Sequence, residues 1–96
     1  MDINELLQNK KTEILKIASQ HGAYNIRVFG SVARGEATED SDIDFLVDLG
    51  EHLSPWFPVR LIRELESLLG RKVDIATEKG LKDRIRERVL REAIKL

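Results

Sequence analysis

Two acidic residues stand two apart in Asp42-Ile43-Asp44, at the head of a run in which apolar residues alternate. On an extended strand such residues share a face, ~6.5–7 Å apart along it. Carboxylates placed that way repel unless a cation lies between them. Oxygen-only ligands favour magnesium or manganese over zinc, and magnesium binds through one or two carboxylates, water and substrate phosphates. The pair therefore reads as a phosphate-handling metal site rather than a structural cage. Upstream, Gly30-Ser31 closes another short run of strand formers. A glycine there lets a phosphate approach the backbone. A helical turn starting at that point would aim free N–H groups at the phosphate. The Ser31 hydroxyl adds a donor, and Arg34, one turn on, carries a planar fork suited to phosphate oxygens. Asp74, alone between Val73 and Ile75, is a third carboxylate that could bridge a second metal or take the proton from an attacking hydroxyl.

Positioning these groups requires particular elements. Asp2 and Glu5 form a capping box for a first helix carrying Ile3, Leu6, Leu7, Ile14, Ile17, Ala18 and His21, stopped at Gly22. Asn25 to Phe29 reads as a strand, Val32 to Glu36 as a helical turn and Glu36 to Ser41 as loop. Ile43 to Leu49 is a second strand, with Ile43, Phe45, Val47 and Leu49 on one face and Asp42, Asp44, Leu46 and Asp48 on the other. Ser54-Pro55 or Phe57-Pro58 opens a helix with the stripe Val59, Ile62, Leu65, Leu68 and Leu69, ended by Gly70. Lys72 to Thr77 is a third strand, and Leu81, Ile85, Val89 and Ala93 mark a last helix at i, i+4 spacing. The expected fold is α+β, a small mixed three-stranded sheet with helices packed on one face. The other face then holds Asp42, Asp44 and Asp74.

Gly-Ser, ten residues and Asp-x-Asp together resemble the signature of the DNA polymerase β-like nucleotidyltransferase superfamily, filled here by Gly30, Ser31, Asp42 and Asp44. The run GSVARGEATEDSDID looks like the minimal nucleotidyltransferase branch, and RKVDI places Asp74 where that family has its third carboxylate. Leu68 to Asp74 and Ile85 to Leu90 are also similar to typical members, so the likeness covers nearly the whole chain. Pro55-Trp56-Phe57-Pro58 is a less usual entry to the helix that follows. The resemblance implies AMP transfer from ATP, with two magnesium ions on Asp42, Asp44 and Asp74, and the nucleotide on Gly30, Ser31 and Arg34. It also implies a partner, since members of the branch are often antitoxins encoded beside a HEPN-domain toxin, and the acceptor would be a tyrosine hydroxyl of that toxin. The alternative is an antitoxin that neutralises its partner by binding alone. A drug-modifying subunit ranks below both, because no drug-binding domain is present.

The chain's 96 residues suit a single domain, residues 1–96, with a modest core, so a homo- or hetero-oligomer is expected. With 42 % apolar and 34 % charged residues the composition is globular. A formal net charge of -1 argues against polyanion binding by bulk charge, and no direct nucleic-acid contact is expected. The absence of cysteine excludes disulfides and thiolate zinc, and fits the cytoplasm. No stretch approaches a membrane span. Arg84, Arg86, Arg88 and Arg91, balanced by Asp83, Glu87 and Glu92, read as a solvated helix face, with docking to an acidic partner as the alternative. Asp48 reads as surface, and His21 and His52 as structural. Trp56 and Phe57 fit either core or a partner surface.

Overall fold

The computed structural model describes residues 2–96. The order is α1 (Ile3–Gln20), β1 (Ala23–Phe29), α2 (Ser31–Arg34), β2 (Ile43–Leu49), α3 (Val59–Leu69), β3 (Val73–Ala76), α4 (Asp83–Glu92) and β4 (Ile94–Lys95). The strands form one mixed sheet in the order β3-β2-β1-β4. β1 runs antiparallel to β2 and β4, whereas β2 and β3 are parallel, joined by the crossover through α3.

Local sequence accounts for most of these elements. Asp2 caps α1, its Oδ1 accepting from the Glu5 N–H at 2.8 Å. Leu7, Ile14 and Ala18 then form the buried face of α1, and Leu61, Leu65 and Leu69 that of α3. Both helices pack on the apolar face of the sheet, where Ile14, Ile43, Phe45 and Leu61 are sealed from solvent. Each such side chain contributes ~1.5–3 kcal/mol by leaving water.

The sheet has a fourth strand that the three-strand expectation lacked. Ile94 and Lys95 pair with Val28 and Arg27, and the Leu96 N–H donates to the Ile26 carbonyl at 3.0 Å. The i, i+4 stripe had placed Ala93 on the last helix, but Ala93 is extended and the helix stops at Glu92. A segment this short carries too little alternation to be legible, and the open edge of β1 supplies its structure. The face opposite α1 and α3 has buried apolar residues of its own. Leu46, which alternation puts beside Asp44 and Asp48, is fully buried there, as is Val89 of α4, and neither belongs to the main core cluster.

Between β2 and α3 the chain is irregular but anchored. The Gly50 N–H donates to the Gly22 carbonyl at 2.8 Å, and a Cβ on Gly22 would lie 2.3 Å from the His52 carbonyl oxygen. His21, buried at the end of α1, shares hydrogen bonds with Ser54 Oγ at 2.6 Å and Glu64 Oε2 at 2.5 Å. One imidazole thus joins α1, the loop and α3, a structural role as its isolation in sequence implied. Phe57 packs partly against the core, while Trp56 is 80 % exposed, so the two aromatics divide between the readings left open for them. Replacing His21 by alanine leaves Ser54 and Glu64 without their partner. We expect a loss of about 1–2 kcal/mol, read as a lower urea midpoint with an unchanged slope.

Candidate active site

The site begins where β1 ends. Gly30 has φ 72°, a conformation that side chains resist, and its ideal Cβ would sit 2.4 Å from Asp44 Oδ2. The Asp44 carboxylate therefore lies directly against the Gly30 backbone, in space that any larger residue would fill. α2 follows as a single turn. The Arg34 N–H donates to the Gly30 carbonyl at 3.1 Å, the Glu36 N–H to the Ser31 carbonyl at 2.9 Å, and Val32 is buried beneath them. The turn starts at Ser31 rather than at the expected Val32, which puts the serine hydroxyl and the first N–H groups at its open end.

Sheet register assembles the acids. Asp44 is the antiparallel partner of Phe29 on one side and the parallel partner of Asp74 on the other. Neighbours across a rung share a face, so Asp44 and Asp74 stand side by side, with Asp42 two residues earlier on the same face. Asp44 is half-buried, and Asp42 and Asp74 are exposed. Burial pushes the Asp44 carboxyl up to about 6, the charges of Asp74, Asp42 and Glu92 add to the rise, and Arg34 opposes it. Repulsion of this kind marks a place where a proton or a cation is held.

The neighbouring loop is fixed from outside. Arg71 Nη1 donates to the Thr38 carbonyl at 2.8 Å, and Ser41 Oγ accepts from the Thr38 N–H at 2.8 Å. The Ile43 N–H donates to the Lys72 carbonyl at 2.9 Å. A cleft of about 370 Å³ opens here beside Asp42, bordered by Glu39, Asp40, Arg71 and Lys72. A second cavity of about 310 Å³, lined by Tyr24, Asp48 and Glu78, lies at the far end of the strands. Asp48 is four residues beyond Asp44, ~13 Å along β2, so that cavity is remote from the acids.

All the residues singled out in the sequence (Gly30, Ser31, Arg34, Asp42, Asp44 and Asp74) converge on this end of the sheet. Arg34 is not free there: its Nε donates to Glu36 Oε1 at 2.9 Å and its Nη1 to Glu92 Oε2 at 3.0 Å. These bonds raise the affinity of its guanidinium for its proton still further. Asp48, on the same face, is already satisfied by Asn25 Nδ2 and Arg27 Nη2, each at 2.8 Å, in keeping with its reading as a non-site residue. Glu92 was missed. Its place among alternating charges gives it the look of a solvated helix residue, and the two-residue strand after it is too short to carry a signal.

The acids suit a divalent cation with oxygen ligands, and Asp44 gains most from one. Among the described residues no group of three or more histidine, cysteine, aspartate or glutamate side chains stands close enough to hold a metal ion by itself. An open carboxylate set is the arrangement that magnesium completes with water and substrate phosphates.

Comparison with known proteins agrees with this geometry. The profile of the nucleotidyltransferase domain matches residues 11–96. A protein adenylyltransferase, MntA, of Thermococcus cleftensis is 42 % identical over 93 residues, spanning 97 % of this chain and 91 % of that protein. A Methanocaldococcus jannaschii protein provisionally named a protein adenylyltransferase is 43 % identical over 94 residues, spanning 98 % and 97 %. Among solved structures, one provisionally identified as a minimal nucleotidyltransferase is 52 % identical with a TM-score of 0.85, covering 100 % of this chain and 97 % of that one. The fold also recurs in a toxin–antitoxin crystal structure with AMP-PNP, at 23 % identity and a TM-score of 0.73, over 88 % of this chain and 70 % of that one. With matches over nearly its full length, the chain belongs to the nucleotidyltransferase domain family.

Proposed function

We propose that this protein transfers AMP from ATP to a hydroxyl group of a partner protein, the acceptor being a tyrosine of a HEPN-domain toxin that it neutralises. The observation that carries the chemistry is the Asp44 carboxylate, seated on Gly30 and level with Asp74. The acceptor class rests on relatives named protein adenylyltransferases and on the toxin–antitoxin structures that share the fold.

Asp42, Asp44 and Asp74 are the residues that would hold magnesium. When bound with the substrate's phosphates, magnesium supplies charge neutralisation at the attacking and leaving oxygens. Ser31 and the N–H groups of α2 hold the outer phosphates, and Arg34 adds its fork. Asp74 is exposed on β3, an edge strand, so an acceptor hydroxyl can reach it from outside the sheet. There its carboxylate takes the hydroxyl proton as the acceptor oxygen bonds to the α-phosphorus. The bond from that phosphorus to the bridging oxygen breaks in line, and pyrophosphate leaves past α2. Positioning and electrostatics do most of this work, because a phosphoryl group needs little covalent help.

Asp44 also sets a pH dependence. Its carboxyl is held at about 6 in the folded chain against a reference value of 3.8, so the folded state binds this proton more tightly than the unfolded state. Stability in metal-free buffer therefore falls as pH rises from about 4 through 6 and then levels. Solvent screening of this half-exposed group limits the effect to about 1 kcal/mol. Asp44→Asn is expected to remove that slope and to raise metal-free stability at pH 7.5 by a similar amount. Magnesium should stabilise the wild type and not the variant, both read by urea denaturation.

Gly30→Ala drives a methyl group into the Asp44 carboxylate, and we expect at least a hundredfold loss of transfer with a modest loss of stability. The decisive test is the intact mass of the co-expressed partner after incubation with this protein, ATP and magnesium. One or more added AMP masses are expected, absent with Asp42→Asn or Asp44→Asn. A tight complex with no added mass, and full protection by a variant carrying both Asp42→Asn and Asp44→Asn, would refute transfer in favour of neutralisation by binding.

A further inference from the structure

The C-terminal strand does more than lengthen the sheet. β4 lies against β1 with Ile94 opposite Val28. β1 continues from Val28 through Phe29 to Gly30, and Ala93 joins β4 to Glu92. The single residue Ala93 between α4 and β4 keeps Glu92 close to this end of β1. Glu92 ends α4, and its carboxylate is 14 % exposed. The other α4 ion pairs, Arg86 with Asp83 and Arg91 with Glu87, stay within the helix. Glu92 instead reaches a residue 58 positions upstream, with Oε2 3.0 Å and Oε1 3.4 Å from Arg34 Nη1.

From this we infer that Glu92 is a positioning residue for ATP, holding Arg34, the last residue of α2, so that its remaining donors face the triphosphate. This rests on the proposed nucleotide chemistry but not on the identity of the acceptor. Glu36 takes the Arg34 Nε–H and Glu92 takes Nη1, while Nη2 has no partner among the described residues. An arginine is a long, mobile side chain whose freedom opposes binding. Two carboxylates, one on Nε and one on Nη1, fix the plane of the guanidinium before the substrate arrives.

The test is calorimetric binding of an ATP analogue with magnesium to the intact protein, with steady-state transfer alongside. Glu92→Gln, nearly isosteric, is expected to weaken analogue binding roughly fivefold to tenfold. It should raise KM for ATP while moving kcat little, the pattern of a lost ground-state contact. Glu92→Asp, with a shorter reach, should give an intermediate loss and serves if the glutamine variant fails to fold. In an Arg34→Ala background neither change at Glu92 should weaken binding further, because Glu92 acts through Arg34. Unchanged or tighter binding by Glu92→Gln, or losses that add across the double variant, would overturn the inference. Tighter binding would show Glu92 withholding Arg34 instead. A wild type that binds no nucleotide would overturn both this and the catalytic reading, whereas normal analogue binding with no labelled protein would overturn only the choice of acceptor.

Discussion

The Asp44 carboxylate lies against the Gly30 backbone, and most of what is specific about this protein follows from that contact. It requires a residue with no side chain at the end of β1 and a β1–β2 register that puts Phe29 opposite Asp44. Held there, Asp44 loses solvent on one side and faces Asp74 on the next strand, and its proton affinity rises. The fold thus keeps a charge where water alone serves it badly. In a catalytic site that is useful, since a binding cation then relieves strain already present. The same arrangement joins the two halves of the chemistry, because Gly30 leads directly into α2 and its phosphate-facing groups.

Such a site needs a rigid base, and a small domain has little core with which to make one. Here α1 and α3 fill the apolar face, and the irregular 50–58 segment is tied to both helices through His21. The opposite face is divided. In its middle Leu46 is buried, at its far end Arg27 neutralises Asp48 and Asn25 donates to it, and near Gly30 stand Asp42, Asp44 and Asp74, for which no ion pair is found among the described residues. A single strand, β2, therefore supplies a buried apolar side chain and a reactive carboxylate on the same face, two residues apart.

The C-terminal segment links these parts. β4 closes the edge of β1, blunting an open sheet edge, and brings Glu92 to Arg34. At the other edge of the sheet lies β3, which carries the exposed Asp74. In the proposed reaction the nucleotide would lie on the side that β4 and Glu92 brace, and the acceptor would come from the β3 edge. A small transferase acting on a protein benefits from that asymmetry, because its donor is always the same while its acceptor arrives as a surface.

Sequence alone determined the features that depend on neighbours along the chain. Alternation in Asp42 to Leu49 separates a core face from an acidic one, whatever packs on either. The offset from Gly30-Ser31 to Asp42, together with Asp74, was enough to indicate the family, and the stripes of α1 and α3 marked the core. Tertiary structure decided what depends on contacts between distant residues. The parallel register that levels Asp44 with Asp74 is set by α3 packing across the sheet, and no pattern within either strand encodes it. Arg34 reads as a free cation until folding brings Glu92 to it from 58 residues away. β4 is a strand only because β1 offers an unpaired edge, since two residues carry no periodicity of their own. Glu92 belongs to the site for that same reason.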